Sequence, residues 1–199
     1  MSDEKYKDVV IQGSVYPDKP VINTQKITLN NEMLNEYIPT INQLPAPKGI
    51  KLLCEAMAIQ EGFKKGAKSY STHNPGNLGN TDVGATQGFS TLEDGIQAQI
   101  NFINNIIAGK SKMYPLGKPV FIKPYYSPEI AAHEQSYQLS PWLPGYQFTF
   151  TGQLDQFVKI YSTGARGGNN YLSLIVSYFN KNGVTITAQT TFEDIAQII

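Results

Sequence analysis

The segment from Ile50 to Glu61 constrains the fold more than any other part of the chain. Counted from Ile50, Leu53, Met57 and Glu61 follow at offsets of three, seven and eleven, with Cys54 and Ala58 beside them, while Leu52, Ala56 and Ile59 occupy the opposite side. Such offsets return to one face of a 3.6-residue helix. A helix that is apolar nearly all round has no face to give to water, so it belongs at the centre of a core. Gly62 stands where a left-handed C-cap glycine is expected, which makes Glu61 a last-turn residue on the apolar face, at a cleft edge. A carboxyl held against apolar groups keeps its proton near neutral pH, because desolvation penalises the ionised form, and it can then act as a general acid. The same spacing also fits a charge that bends into solvent at a frayed helix end. Glu55, on a different face, reads as a solvated surface charge.

Further helices follow from local signals. Thr91 with Asp94 three residues on makes a capping box, Ile96, Ile100, Ile103 and Ile107 recur at helical spacing, and Gly109 ends the run. Glu93 and Asp94 are thereby explained as first-turn acids. Thr151 is expected to open a third helix through Leu154, Phe157, Val158 and Tyr161, and Asn170 a fourth through Leu174, Ile175, Tyr178 and Phe179. Thr191 with Asp194 starts a last short turn. The fold class expected is mainly α, within α+β: a helical domain, residues 46–199, with a small irregular or strand-like wing around the loop that follows Glu61.

Two stretches stand apart from this plan. Residues 1–45 form an N-terminal arm in which Val9–Ile11 and Lys26–Leu29 suit short strands and Asn31–Tyr37 suits one or two helical turns, before the break at Pro45-Ala46-Pro47. The arm is either a docking extension to another protein or a strand-rich flap packed on the core. Residues 114–150 form an insertion with six prolines and the aromatics Tyr125, Tyr126, Tyr137, Trp142, Tyr146 and Phe148, which excludes a continuous helix except over Pro128–Gln138. Its rings either stack on sugar faces or anchor the loop to the core.

Composition excludes several classes. Sixteen basic and sixteen acidic residues leave a formal net charge of zero, so there is no general field to attract nucleic acid or an anionic membrane. Lys64, Lys65 and Lys68 make a local basic patch that serves either an anionic polymer or solvation of a loop. Cys54 is the only cysteine, so no internal disulfide forms, and its apolar neighbours make it a small core residue. His73 and His133 lack the spacing of a metal site, and neither metal nor cofactor is expected. The start Met1-Ser2-Asp3-Glu4-Lys5 has no apolar signal segment and no later run suits a membrane span, so the expectation is a protein made in a cytoplasm.

Three motifs in order carry a family likeness. Ala58-Ile59-Gln60-Glu61-Gly62-Phe63, then His73-Asn74-Pro75-Gly76-Asn77-Leu78, then Gly88-Phe89-Ser90-Thr91-Leu92-Glu93-Asp94-Gly95 resemble the lysozyme-like peptidoglycan-cleaving proteins of phages and bacteria. Leu154–Val184 is similar to the closing helices of that family. The resemblance covers about residues 50–114 and 151–199. It implies a lysozyme-like fold, Glu61 as the catalytic acid, and a turn from Asn74 to Asn77 that shapes the sugar cleft.

The function expected is therefore cleavage of the peptidoglycan glycan strand between N-acetylmuramic acid and N-acetylglucosamine, by an endolysin or a virion-associated lytic protein made in a host cytoplasm and acting at the cell wall, with the N-terminal arm as the docking extension to virion proteins in the second case. A muramidase of the hydrolase type needs a second carboxylate about 5–9 Å away, for which Asp82 is the uncommitted acid nearest in sequence. A lytic transglycosylase needs none, because the C6 hydroxyl of the substrate attacks, and the scarcity of second acids favours that route. Ser71, Thr72 and Tyr161 are accessory hydrogen-bonding candidates beside Asn74 and Asn77. The alternative is a non-catalytic glycan-binding or structural virion protein that retains the fold.

Overall fold

The computed structural model describes residues 22–79, 87–122, 125–126, 142–143, 146–161 and 167–199. A π-helical stretch, Met33–Tyr37, runs directly into α1 (Ile38–Gln43), followed by α2 (Lys48–Gln60), α3 (Lys68–Ser71) and α4 (Leu92–Ile107). Four short strands come next: β1 (Pro119–Ile122), β2 (Tyr125–Tyr126), β3 (Trp142–Leu143) and β4 (Tyr146–Thr149). The chain closes with α5 (Leu154–Tyr161), α6 (Gly167–Lys181) and α7 (Phe192–Ala196). It is mainly helical with a small antiparallel component. No helix among the described residues is long and apolar enough to cross a membrane.

The apolar surround of α2 is used in full. The helix packs against α1, α4, α6 and α7, and every residue from Leu52 to Ala58 is buried. Gly49, at its start, lets the last turn of the chain lie directly on its backbone. Its N–H donates to the Ile198 carbonyl at 3.1 Å, and a Cβ there would overlap the carbonyl oxygen of Ile195.

Glu55 corrects the sequence reading. It is not a solvated charge but is 5% exposed, and the Tyr178 hydroxyl on α6 donates to its Oε2 at 2.7 Å. The partner lies 123 residues away, beyond the reach of helical spacing.

The arm departs from expectation in part. Lys26–Leu29 forms no strand. The segment from residue 22 instead lies along α6, where the N–H groups of Asn23 and Gln25 donate to Ser173 Oγ and Ser177 Oγ. The helix expected from Asn31 continues to Gln43, and Met33, Tyr37 and Ile41 are part of the main core rather than of a separate arm. Asn30 starts it, its Oδ1 accepting from Met33 N–H while its Nδ2 donates to the Phe63 carbonyl. Val9–Ile11 lies outside the described residues.

The strands described lie in the insertion, and among the described residues the loop after Glu61 is irregular apart from the short α3. β1 pairs with β4 from Pro119↔Thr149 to Ile122↔Tyr146, and β2 with β3 inside them, a nested antiparallel ribbon. Tyr114 and Phe150 tie its base to the core by ring contacts with each other at 5.8 Å, and Tyr114 meets Phe157 at 5.3 Å. The expected helix over Pro128–Gln138 falls outside the described residues.

Local capping signals survive intact. Thr91 and Asp94 cap α4, and Thr191 and Asp194 cap α7, each pair exchanging side-chain and backbone bonds in both directions. The third helix starts later than Thr151 suggests. The first N–H groups of α5, from Leu154 and Asp155, go to the carbonyls of Thr190 and Ala188, while the N–H and hydroxyl of Thr151 bond Gln156 Oε1.

Replacing Gly49 by Ala tests the close contact of α2 and α7. Overpacking against a backbone carbonyl is expected to cost about 2–3 kcal/mol, measured by urea unfolding.

Candidate active site

The end of α2 is fixed by backbone geometry. Phe63 N–H donates to the Ala58 carbonyl at 3.0 Å and Gly62 N–H to the Ile59 carbonyl at 3.1 Å, the paired bonds of a Schellman motif. Gly62 supplies the positive φ, +67°, that the motif demands. Phe63 then returns to the core, against Tyr37 at 5.7 Å and Tyr70 at 5.3 Å. Glu61 is thereby pinned as the C-cap residue, half-buried, with its backbone unable to fray away.

Opposite it lies the turn through Asn74-Pro75-Gly76-Asn77. Asn74 is fully buried and entirely occupied: its Oδ1 accepts from Leu78 N–H at 2.8 Å, and its Nδ2 donates to the carbonyls of Leu78 and Gln87 at 2.9 and 3.1 Å. Expected to bind substrate, it instead holds the loop, since no polar atom of it is left for a ligand. Helix α4 supports the turn from below. A Cβ on Gly95 would overlap the His73 carbonyl oxygen, and one on Gly76 would strike the Gln99 side chain. The glycine of the third motif is thus the place where the second motif rests on α4. Gln99 is itself held, accepting from the Tyr37 hydroxyl at 2.8 Å and donating to the Cys54 carbonyl at 3.4 Å.

Three of the expected site residues converge. The exposed Asn77, at φ +50°, donates its side chain to the Glu61 carboxyl, and Tyr161, from the last turn of α5, donates its hydroxyl to the Gly76 carbonyl. Burial pushes the Glu61 carboxyl up to about 7, with the Asn77 bond pulling the other way. The same carboxyl acts on Tyr161, whose hydroxyl is raised well above its usual range first by burial and then by that charge.

Ser71 and Thr72 do not join them. Both hydroxyls donate to the Lys68 carbonyl, at 3.2 and 2.7 Å, and so finish the short α3. Asp82 lies outside the described residues. Among the described residues no group of three His, Cys, Asp or Glu side chains gathers as a metal site would require.

Sequence reasoning missed Tyr171 of α6. It stands edge-on to Tyr161 at 5.6 Å, is 1% exposed, and its hydroxyl has no partner among the described residues. No local pattern marks it, because its place behind Tyr161 depends on the crossing of α5 and α6. Gly95 was visible as a glycine in the first turns of a helix, a position that signals close backbone approach.

No family model, curated protein or solved structure matches this chain.

Glu61 gives the site a stability signature. Its carboxyl is raised from 4.5 to about 7 on folding, so the protonated form favours the folded state. That contribution is complete below pH 4.5 and is lost as pH rises through about 7. Glu61→Gln, neutral throughout, is expected to match the wild type at pH 4 and to exceed it at pH 8 by about 1–2 kcal/mol, less than full burial would give. Thermal melts of both proteins across that range check it.

Proposed function

We propose that this chain cleaves the glycan strand of peptidoglycan between N-acetylmuramic acid and N-acetylglucosamine, with Glu61 as general acid. One observation carries the reading: a half-buried carboxyl at the C-cap of a core helix, raised to about 7 and bonded by Asn77 of the facing turn. A group with that value keeps a large protonated fraction at neutral pH and still gives up its proton readily. Its motifs, in their order, resemble those of lysozyme-like enzymes.

The reaction begins with the Glu61 proton passing to the glycosidic oxygen as the bond to the muramic C1 breaks. Positive charge develops on the sugar ring, and the carboxylate left behind stabilises it. The Asn77 bond favours the ionised carboxyl, so it strengthens as the proton departs, which is where a bond accelerates a reaction. We favour capture of C1 by the C6 hydroxyl of the same sugar, whose proton returns to Glu61, leaving a 1,6-anhydro end and the acid restored. The sequence offers few uncommitted second acids, Asp82 being the one near the turn, and this scarcity favours the route over water attack.

Digestion of purified peptidoglycan followed by mass spectrometry is the test. The wild type is expected to release anhydromuramic ends, Glu61→Gln to reduce release at least 100-fold, and the rate to fall tenfold per pH unit above about 7. Reducing muramic ends instead would establish a hydrolase and direct attention to Asp82. Binding to sacculi with no release would replace the enzyme by a glycan-binding or virion structural protein.

A further inference from the structure

A second concave site lies on another face of α2. Glu55 and Glu61 are six residues apart, so they project about 120° from each other around the helix. Glu55 opens into a pocket of about 480 Å³ that Glu61 does not line. That volume is in the range of small-molecule sites.

Its chemistry is ordered by depth. Glu55 and Tyr178 are the innermost polar groups, both nearly inaccessible. Tyr178 satisfies Oε2, and among the described residues no side chain or backbone group bonds the other carboxylate oxygen. Leu29, Ile38 and Leu52 supply apolar wall. Farther out are two cations, the exposed Lys48 and the part-exposed Lys51, whose Nζ donates to the Asn42 carbonyl at 3.1 Å. The pocket therefore presents negative charge within and positive charge outside.

We infer that this pocket binds a small zwitterion, a free amino acid or a short peptide, with its ammonium on the open oxygen of Glu55 and its carboxylate toward Lys48 and Lys51. A simple amine leaves the two lysines unpaired, and a simple carboxylate faces the buried Glu55. Only a molecule bearing both charges, with a small alkyl group between, satisfies every part. Burial raises the Glu55 carboxyl, with Tyr178 and Lys51 opposing, so an incoming ammonium replaces the hydration that the site has removed. The inference is independent of the glycan-cleaving reading, since none of these groups contacts the Glu61 turn in the bonds described above.

Titration calorimetry with alanyl-alanine, its N-acetyl derivative and its C-terminal amide, with backbone amide NMR of the same samples, tests this. Alanyl-alanine is expected to bind more tightly than about 1 mM and to shift amides of residues 48–55 and 178–182. Blocking either end weakens it at least tenfold. Glu55→Gln removes the penalty for acetylation. The surface double variant Lys48→Ala, Lys51→Ala, which leaves the core intact, removes the penalty for amidation. Absence of binding, equal binding of the three compounds, or shifts confined to other residues would overturn the proposal. If Glu55→Gln does not fold, the lysine variant decides alone: an undiminished preference for the free carboxylate overturns it.

Discussion

Burying α2 from Leu52 to Ala58 is the constraint on which the rest of this structure depends. A stretch of helix apolar nearly all round must be enclosed, and here α1, α4, α6 and α7 pack against it. The apolar burial supplies the stability, at roughly 25 cal/mol per Å² removed from water. It also decides where the polar exceptions sit. Glu55 and Glu61 are carried into partly or wholly dehydrated surroundings because the helix that bears them has nowhere else to lie. Each then acquires a specific partner, Tyr178 for one and Asn77 for the other.

The candidate active site is a junction of three elements rather than a single loop. The end of α2 supplies the acid, held by the Schellman bonds of Gly62 and Phe63. The turn from Asn74 to Asn77 supplies the facing donor, and it is rigid because Asn74 spends its whole side chain inside it. Helices α4 and α5 hold that turn from two sides, through Gly95 and through the Tyr161 hydroxyl on Gly76. Preorganisation of this kind matters for proton transfer, because a carboxyl free to swing into water would lose both its raised affinity for the proton and its aim.

What was legible in the sequence was local. The two Thr-x-x-Asp capping boxes, the glycine after Glu61 and the buried stripe of α2 each depend on residues within a turn or two, where spacing and geometry are tightly linked. The mainly helical class follows from them. What was not legible depended on distant partners. Glu55 reads as a surface charge until Tyr178 is brought to it by α6, and Asn74 reads as a binding residue until the carbonyls of Leu78 and Gln87 are seen to consume it. The start of α5 shifts to Leu154 because the chain near Ala188 and Thr190 accepts its first N–H groups. The core role of Met33, Tyr37 and Ile41 was hidden by the proline break that follows them, which marks a loop and not the edge of the domain. Of the site, Glu61, Asn77 and Tyr161 come together, whereas Ser71 and Thr72 serve α3.

The central claim is that Glu61 retains its proton near neutral pH. Carbon-13 NMR of the protein labelled at the glutamate side-chain carboxyls follows that proton directly, with the Glu61 signal assigned by its absence in Glu61→Gln. The account predicts a midpoint near 7, well above the usual 4.5. A midpoint at the usual value would contradict it, leaving Glu61 an ionised helix-end charge without the proton that a general acid must donate.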